Sequence, residues 1–367
     1  MSQPGDDWRF LLVGAGYLGA RRAAALGVAR GAVLAGVYDT REEAARSVAR
    51  RHDVECFDDL DDALRRPDFD AVIVATPHAD HFEQVSAALD AGKHVLCEKP
   101  LTIRPEDARA LATRADELRL RLATGFNHRF YPPVRDALSL VAAWRIGRVE
   151  GVRAEIGHQA TPEFLTTWHT DVARSGGGTL MDNGPHACDL IRQFLGEVVA
   201  VTGYRRESHQ LPRGCEIEAC GLFRDFDQNL AELRSSWNQI RGYLTMEVRG
   251  SDGCLRIETA PWRLTGVLSN GREVARGYVR ERLAERVFRA RFGCERTHVQ
   301  EIESFVSSAN VTERPSASGW DGCRATEMVD AIYRSSESGR EVRLKPLLVQ
   351  LPSAAHRRAL GPAGRTK

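Results

Sequence analysis

The sequence predicts an α/β protein: an N-terminal, doubly wound parallel sheet followed by an α+β domain with a large, open, mostly antiparallel sheet. Three observations predict it. Short, continuously apolar runs alternate with helical patterns up to residue 125, as strands buried on both faces require. The turn Gly14-Ala15-Gly16-Tyr17-Leu18-Gly19 joins the first such run to a helix. Beyond residue 128 the apolar residues fall at period two, between turn residues, as in half-buried strands.

The first half reads element by element. Phe10-Leu11-Leu12-Val13 is a strand, and 17–26 is a helix whose Ala20, Ala23 and Ala24 suit close packing on a sheet. Residues 33–39 form a second strand ending in Asp39, followed by a helix over 41–51. The run 71–75 is a third strand and 80–91 its helix; 94–97 is a fourth strand and 105–118 its helix; 122–125 is a fifth, short strand. Crossover handedness leaves a Rossmann arrangement as the natural assembly of these units.

In the second half, strands are expected over 149–158, 198–206, 216–223, 229–237, 243–250, 254–258 and 263–268. Leu244, Met246 and Val248 take one face of their strand, Thr245 and Glu247 the other. Gly250-Ser251-Asp252-Gly253 and Ser269-Asn270-Gly271 read as hairpin turns. Helices near 178–195, 297–309 and 322–335 are expected to cover one face of this sheet. The other face would be open on a monomer, so a homodimer or homotetramer through that sheet is expected. The division is then 1–127 for the nucleotide-binding domain, 128–345 for the substrate and oligomerisation domain, and 346–367 for a Pro/Arg/Ala tail.

Composition removes several function classes. A chain of 367 residues is longer than one ordinary domain. A formal charge of +1 gives no electrostatic footprint for nucleic acid. No apolar run approaches the ~20 residues of a membrane span. Residues 1–7 are polar and lack the layout of a secretion signal. The eight cysteines are scattered, with no Cys-x-x-Cys, so they read as reduced thiols of a cytoplasmic protein. Only four lysines occur, so arginine carries nearly all the positive charge. Lys99, in Cys97-Glu98-Lys99-Pro100, is therefore a candidate for a position that needs an ammonium.

The glycine turn sits where a dinucleotide-binding fingerprint must. Gly14 permits the tight turn, Gly16 lets backbone approach a pyrophosphate, and Gly19 lets the helix pack; Tyr17 and Leu18 open the helix whose N-terminus receives the phosphates. Asp39, at the end of the next strand, suits ribose hydroxyls and favours NAD; Thr40 and Arg41 adjoin it. Arg41 keeps NADP open, as a partner for a 2′-phosphate or the adenine, or else is an exposed helix-start arginine. Thr76-Pro77-His78 follows the third strand at the carboxyl end of the sheet. His78 and His81 are candidate nicotinamide neighbours, or a loop histidine and a helix-capping one.

Asp182, His186 and Asp189 share one helical face. A histidine with a carboxylate partner can take the hydroxyl proton when an alcohol is oxidised, and Lys99 can supply charge at the developing carbonyl oxygen. A capped helix with a buried His–Asp hydrogen bond is the alternative. Pro185 requires either a helix start near Asn183 or a kink. His128-Arg129 and Trp168-His169 are candidates for lining a sugar pocket, against ordinary packing. His158, His169 and His186 lack metal-site spacing, and no metal is expected.

Taken together these residues resemble the Gfo/Idh/MocA family of glucose–fructose oxidoreductase and inositol dehydrogenase. The match runs from about residue 8 to 345. It rests on the glycine turn, Asp39, Ala75-Thr76-Pro77 with His81, Gly92-Lys93-His94-Val95 into Glu98-Lys99-Pro100, Asn127-x-Arg129-Phe130, and Gly176-Gly177-Gly178 with Asp182-x-Gly184-x-His186-x-x-Asp189. The resemblance implies hydride transfer at a sugar, aminosugar or cyclitol carbon. Lys99 is then the catalytic lysine with a cis bond to Pro100, Asp182 its hydrogen-bonded partner, and His186 the acid/base. Glu98, Lys99 and Asn127 join the cofactor set; Lys99, Arg129, Trp168, His169, Asp182, Asn183 and His186 form the substrate set. His78 stands where many members have Asn, and His169 where several have Arg. Three rival activities are an NADPH-dependent ketoreductase of a nucleotide-linked keto sugar, an NAD-recycling glycosidase of the same fold, and a nicotinamide sensor without turnover.

Overall fold

The computed structural model describes residues 7–307, 316–345 and 347, with backbone only at 240 and 241. The expected tail over 346–367 lies, apart from residue 347, outside the described residues. The chain forms two compact units. One is built from Met1–Phe130, Ala173–Gly176 and Arg280–Thr326, the other from Tyr131–Val172, Gly177–Val279 and Glu327–Lys367.

In the first unit, β1 (Trp8–Val13), α1 (Tyr17–Leu26), β2 (Ala32–Tyr38), α2 (Glu42–His52), β3 (Glu55–Phe57), α3 (Leu60–Arg65), β4 (Ala71–Val74), α4 (His81–Asp90), β5 (His94–Cys97), α5 (Pro105–Leu118) and β6 (Leu122–Thr124) follow in order. The sheet order is β3-β2-β1-β4-β5-β6, with every pair parallel. The order reverses between β1 and β4, which is where an open α/β sheet leaves its ligand crevice. Phe10, Leu12, Ile73 and Leu96 are fully buried at its centre. Each such side chain contributes roughly 1.5–3 kcal/mol relative to exposure. The three-residue β3 and short α3 leave no periodic signature in the sequence.

In the second unit come α6 (Pro132–Ala142), β7 (Val149–Gln159), the single turn α7 (Val172–Ser175, shared with the first unit) and α8 (Thr179–Leu195). Then follow β8 (Val198–Glu207), β9 (Glu216–Asp225), β10 (Leu230–Ser236), β11 (Asn238–Gly250), β12 (Cys254–Thr259), β13 (Trp262–Val267) and β14 (Glu273–Arg276). The sheet order is β14-β13-β12-β11-β7-β10-β9-β8-β15, where β15 is Val342–Arg343. Only β7 and β10 pair in parallel; the other neighbours are antiparallel. The two expected hairpin turns form: the Gly250 N–H donates to Gly253 O at 2.8 Å, and the Leu268 N–H to Arg272 O at 2.9 Å. Helix α8 packs across β7, β10 and β9, and α6 across β12 and β13. On the opposite face Arg153, Glu155, Glu232 and Arg234 flank the exposed Tyr204 and Leu222.

Three helices remain: α9 (Val279–Phe292), α10 (Arg296–Ser307) and α11 (Gly319–Ser338). The arginine-rich α9 buries no residue, so its arginines form a solvated face. The expectation for 297–309 needs correction. Helix α10 does not cover the second sheet; it packs on α1 and β2, and Val299, Ile302 and Phe305 join the core of Phe10, Leu12 and Ala23. Its apolar face is equally suited to either core, and only the tertiary fold decides. Residues 308 and 309 lie outside the described residues. Among the described residues no helix is long and apolar enough to cross a membrane.

Candidate active site

The first unit supplies a cradle for a dinucleotide. Gly14 has φ +95°, and a Cβ there would meet Ala75 O. Gly19 has no room for a Cβ either, because Gly14 O occupies it. Helix α1 has Gly16 as its N-cap and no side-chain cap, which leaves its first N–H groups without a capping side chain, as phosphate binding at a helix start requires. Asp39 Oδ2 accepts the Ala15 N–H at 2.7 Å, and Oδ1 accepts the Arg41 N–H at 2.8 Å. The exposed Arg41 guanidinium lies at 3.4 Å from the same carboxylate. Thr40 is exposed, Leu18 is half-buried, and Tyr17 is exposed with Arg21 4.4 Å above its ring. A turn that excludes Cβ atoms, an uncapped helix and a fixed acid at the ribose position together fit NAD.

The neighbouring strand ends are braced. Thr76 Oγ1 donates to Gln84 at 2.6 Å. His78, beside Pro77, places Nδ1 at 2.8 Å from Ser175 O. His81 is 0% exposed, with Nδ1 at 2.9 Å from Pro100 O and Nε2 at 3.0 Å from Thr76 O. Burial pushes its pKa down, while the two carbonyls favour the protonated ring; the side chain sits between the loop after β4 and the loop after β5.

That second loop carries the lysine. The Lys99–Pro100 bond is cis, and Lys99 is half-buried. Glu98 pairs with Arg22. Its Oε1 lies 2.5 Å from Arg22 Nε, and Arg22 Nη2 lies 2.6 Å from Glu301 Oε2. The arginine is 1% exposed. Its two carboxylates raise its pKa further against the burial that opposes its charge. Burial outweighs the same arginine at Glu301, whose carboxyl is pushed up to about 7. Close packing and the Lys99 charge push His128 down to about 3, so it is a neutral ring. Asn127 Nδ2 donates to Thr297 at 3.2 Å, and the buried Arg129 donates to Ser316 O and pairs with Asp321 at 3.4 Å.

The second unit carries Asp182 and His186. Helix α8 runs unbroken through Pro185, so Asp182, His186 and Asp189 do lie on one helix. Asp182 Oδ2 accepts from Trp237 Nε1 and from Asn183 Nδ2, each at 3.1 Å, and His158 Nδ1 stands 3.9 Å away. His186 and Asp189 are buried. Trp168 stacks on His169 at 4.0 Å between centroids; Phe164 contacts His169 at 4.7 Å, His158 at 5.0 Å and Trp237 at 5.2 Å. The expected pair is thus part of an aromatic wall that continues to the Asp182 carboxylate.

His158, Phe164 and Trp237 were not singled out as site residues in the sequence, nor was Glu216. Burial hides Trp237 among ordinary core aromatics, and His158 continues a plain strand alternation. Only the placement of one histidine and one tryptophan at strand ends facing the same helix could have signalled them.

Two family models match the chain: "Oxidoreductase family, NAD-binding Rossmann fold" over residues 8–126 and "GFO/IDH/MocA C-terminal domain" over residues 134–256. A myo-inositol 2-dehydrogenase of Thermotoga maritima is 26% identical over 351 residues, 93% of this chain and 99% of that protein. An inositol 2-dehydrogenase of Rhizobium meliloti is 28% identical over 345 residues, 92% of this chain and 99% of its own. The fold is that of a levoglucosan dehydrogenase solved with NADH and levoglucosan, at a TM-score of 0.82 and 22% identity over 93% of this chain and 100% of that one.

Proposed function

The chain belongs to the Gfo/Idh/MocA family of NAD-binding oxidoreductases, and we propose that it is a dehydrogenase oxidising a secondary hydroxyl of a sugar, aminosugar or cyclitol. NAD, when bound, supplies the hydride acceptor at its nicotinamide carbon. Gly14, Gly16 and Gly19 admit its pyrophosphate, and Asp39 takes the ribose hydroxyls. His186 removes the hydroxyl proton, with Asp182 on the same helical face to stabilise the charge it gains. Lys99 polarises the substrate oxygen as the carbonyl forms.

The observation that carries this reading is the fixed Asp182 carboxylate, held by Trp237 and Asn183 at 3.1 Å each beside an aromatic wall. Sugar and cyclitol rings present C–H faces that aromatic side chains cover, and hydroxyl edges that carboxylates and imidazoles bind. The dehydrogenases of inositol and levoglucosan among its relatives support the same substrate class. Asp39 supports NAD over NADP. One specific feature favours a second reading, NADPH-dependent reduction of a keto sugar: the exposed Arg41 guanidinium can turn from Asp39 to a 2′-phosphate.

A homodimer or homotetramer would cover the open sheet face, where Tyr204 is 66% and Leu222 55% exposed. A cytoplasmic location is part of this proposal, on eight scattered cysteines with no Cys-x-x-Cys spacing. Lys99→Met and His186→Ala test the assignment. Each is expected to lower turnover at least a hundredfold while NADH still binds. Wild-type turnover in either variant would remove that residue from the catalytic set.

A further inference from the structure

The triple glycine Gly176-Gly177-Gly178 has no part in the chemistry assigned above, yet the second unit shows what its last two members make room for. A Cβ on Gly178 would run into the Glu216 backbone, and one on Gly177 into the Tyr333 hydroxyl. The glycines let the chain lie against one fully buried carboxylate. Glu216 Oε2 accepts the Gly178 N–H at 2.9 Å and Oε1 the Leu180 N–H at 2.7 Å. Tyr333 donates its hydroxyl to Oε1 at 3.1 Å.

These N–H groups lie at the start of α8, which has no cap from its own N-cap residue, Gly178. Pro185 sits inside the helix and lacks an N–H, so it cannot donate to Met181 O. One rung of the helix ladder beside Asp182 is therefore missing. The first turn is also tied sideways. Ser235 Oγ donates to Thr179 O at 3.0 Å, and Asn183 Nδ2 reaches Thr179 Oγ1 at 3.3 Å as well as Asp182. Two residues after Ser235, Trp237 holds Asp182.

We propose that Glu216 is a positioning residue: its carboxylate seats the first turn of α8 and so sets where Asp182 and His186 stand. Tyr333 orients that carboxylate, and Gly177 and Gly178 are the seat. The inference rests on the proposed catalytic roles of Asp182 and His186.

Glu216→Gln keeps the shape but turns an amide donor toward one of two N–H donors. The test counts NADH-binding sites by fluorescence titration, then measures kcat per bound cofactor, the substrate KM and the isotope effect of a carbon-deuterated substrate. The expected result is wild-type stoichiometry and NADH affinity within twofold, a fall in kcat per site of at least tenfold, KM within threefold, and an isotope effect no smaller than wild type. A purely structural role would lower the number of sites and leave kcat per site unchanged, and that result would overturn the proposal. If Glu216→Gln does not fold, Tyr333→Phe decides: a twofold to fivefold fall in kcat per site is expected, and an unchanged value overturns it. His186→Ala run beside them separates the two claims. Turnover in His186→Ala sinks the catalytic assignment; a dead His186→Ala with full-speed Glu216→Gln sinks only the positioning role.

Discussion

Trp237 donates its indole N–H to Oδ2 of Asp182 at 3.1 Å, from a side chain that is itself buried. Packing fixes the indole, so the donor cannot follow a carboxylate that moves. The tryptophan thus converts rigidity of the core into a fixed direction for a charge in the site.

Trp237→Phe retains most of the packing and removes only the donor. A hydrogen bond to a charged group contributes about 1.5–3 kcal/mol, so kcat/KM is expected to fall roughly tenfold to a hundredfold. Steady-state kinetics beside an NADH titration checks this, with cofactor affinity unchanged. Wild-type kcat/KM would mean that the indole N–H does not set the direction of the carboxylate.

The Arg22 cluster is expected to govern stability. Arg22→Met leaves Glu98 and Glu301 buried without their cation, at a cost of about 3–5 kcal/mol. Urea denaturation measures it. Adding Glu98→Gln and Glu301→Gln should recover part of the loss, because the uncompensated charges are then gone.

His94 sets an acid limit. Its Nδ1 accepts the Arg121 N–H at 2.9 Å, which requires an unprotonated nitrogen, and burial with the Arg121 charge pushes the ring from 6.5 down to about 4. A folded-state pKa below the unfolded one means the unfolded chain binds the extra proton. Stability is full above pH 6.5 and falls as pH drops toward 4, by roughly 3 kcal/mol from this group. Denaturation midpoints across that range should show the fall, and His94→Gln should remove this share of it. An unchanged slope in the variant would assign the acid sensitivity to other titrating groups.

What the sequence revealed follows physical range. The phosphate turn, Asp39 and the strand–helix alternation are local, dictated by glycine sterics and by periodicity, and they were readable. The lone motif Asp182-x-Gly184-x-His186 was readable as a helical face, but whether Pro185 broke that helix was not. Long-range choices stayed hidden. Helix α10 presents an apolar stripe that says nothing about which sheet it joins, and Glu216 reads as one more strand residue until its carboxylate is seen under α8. Glu98 shows the converse: its motif neighbours draw attention to the site, while its side chain is turned to Arg22.

The most direct test of the central claim is absorbance at 340 nm with NAD or NADP and a panel of cyclitols, aminosugars and free sugars. Reduction of NAD that saturates with one member of that panel, and is abolished in Lys99→Met, is the predicted result. No reduction of either cofactor by any member, from protein that binds NADH stoichiometrically, would contradict the dehydrogenase reading.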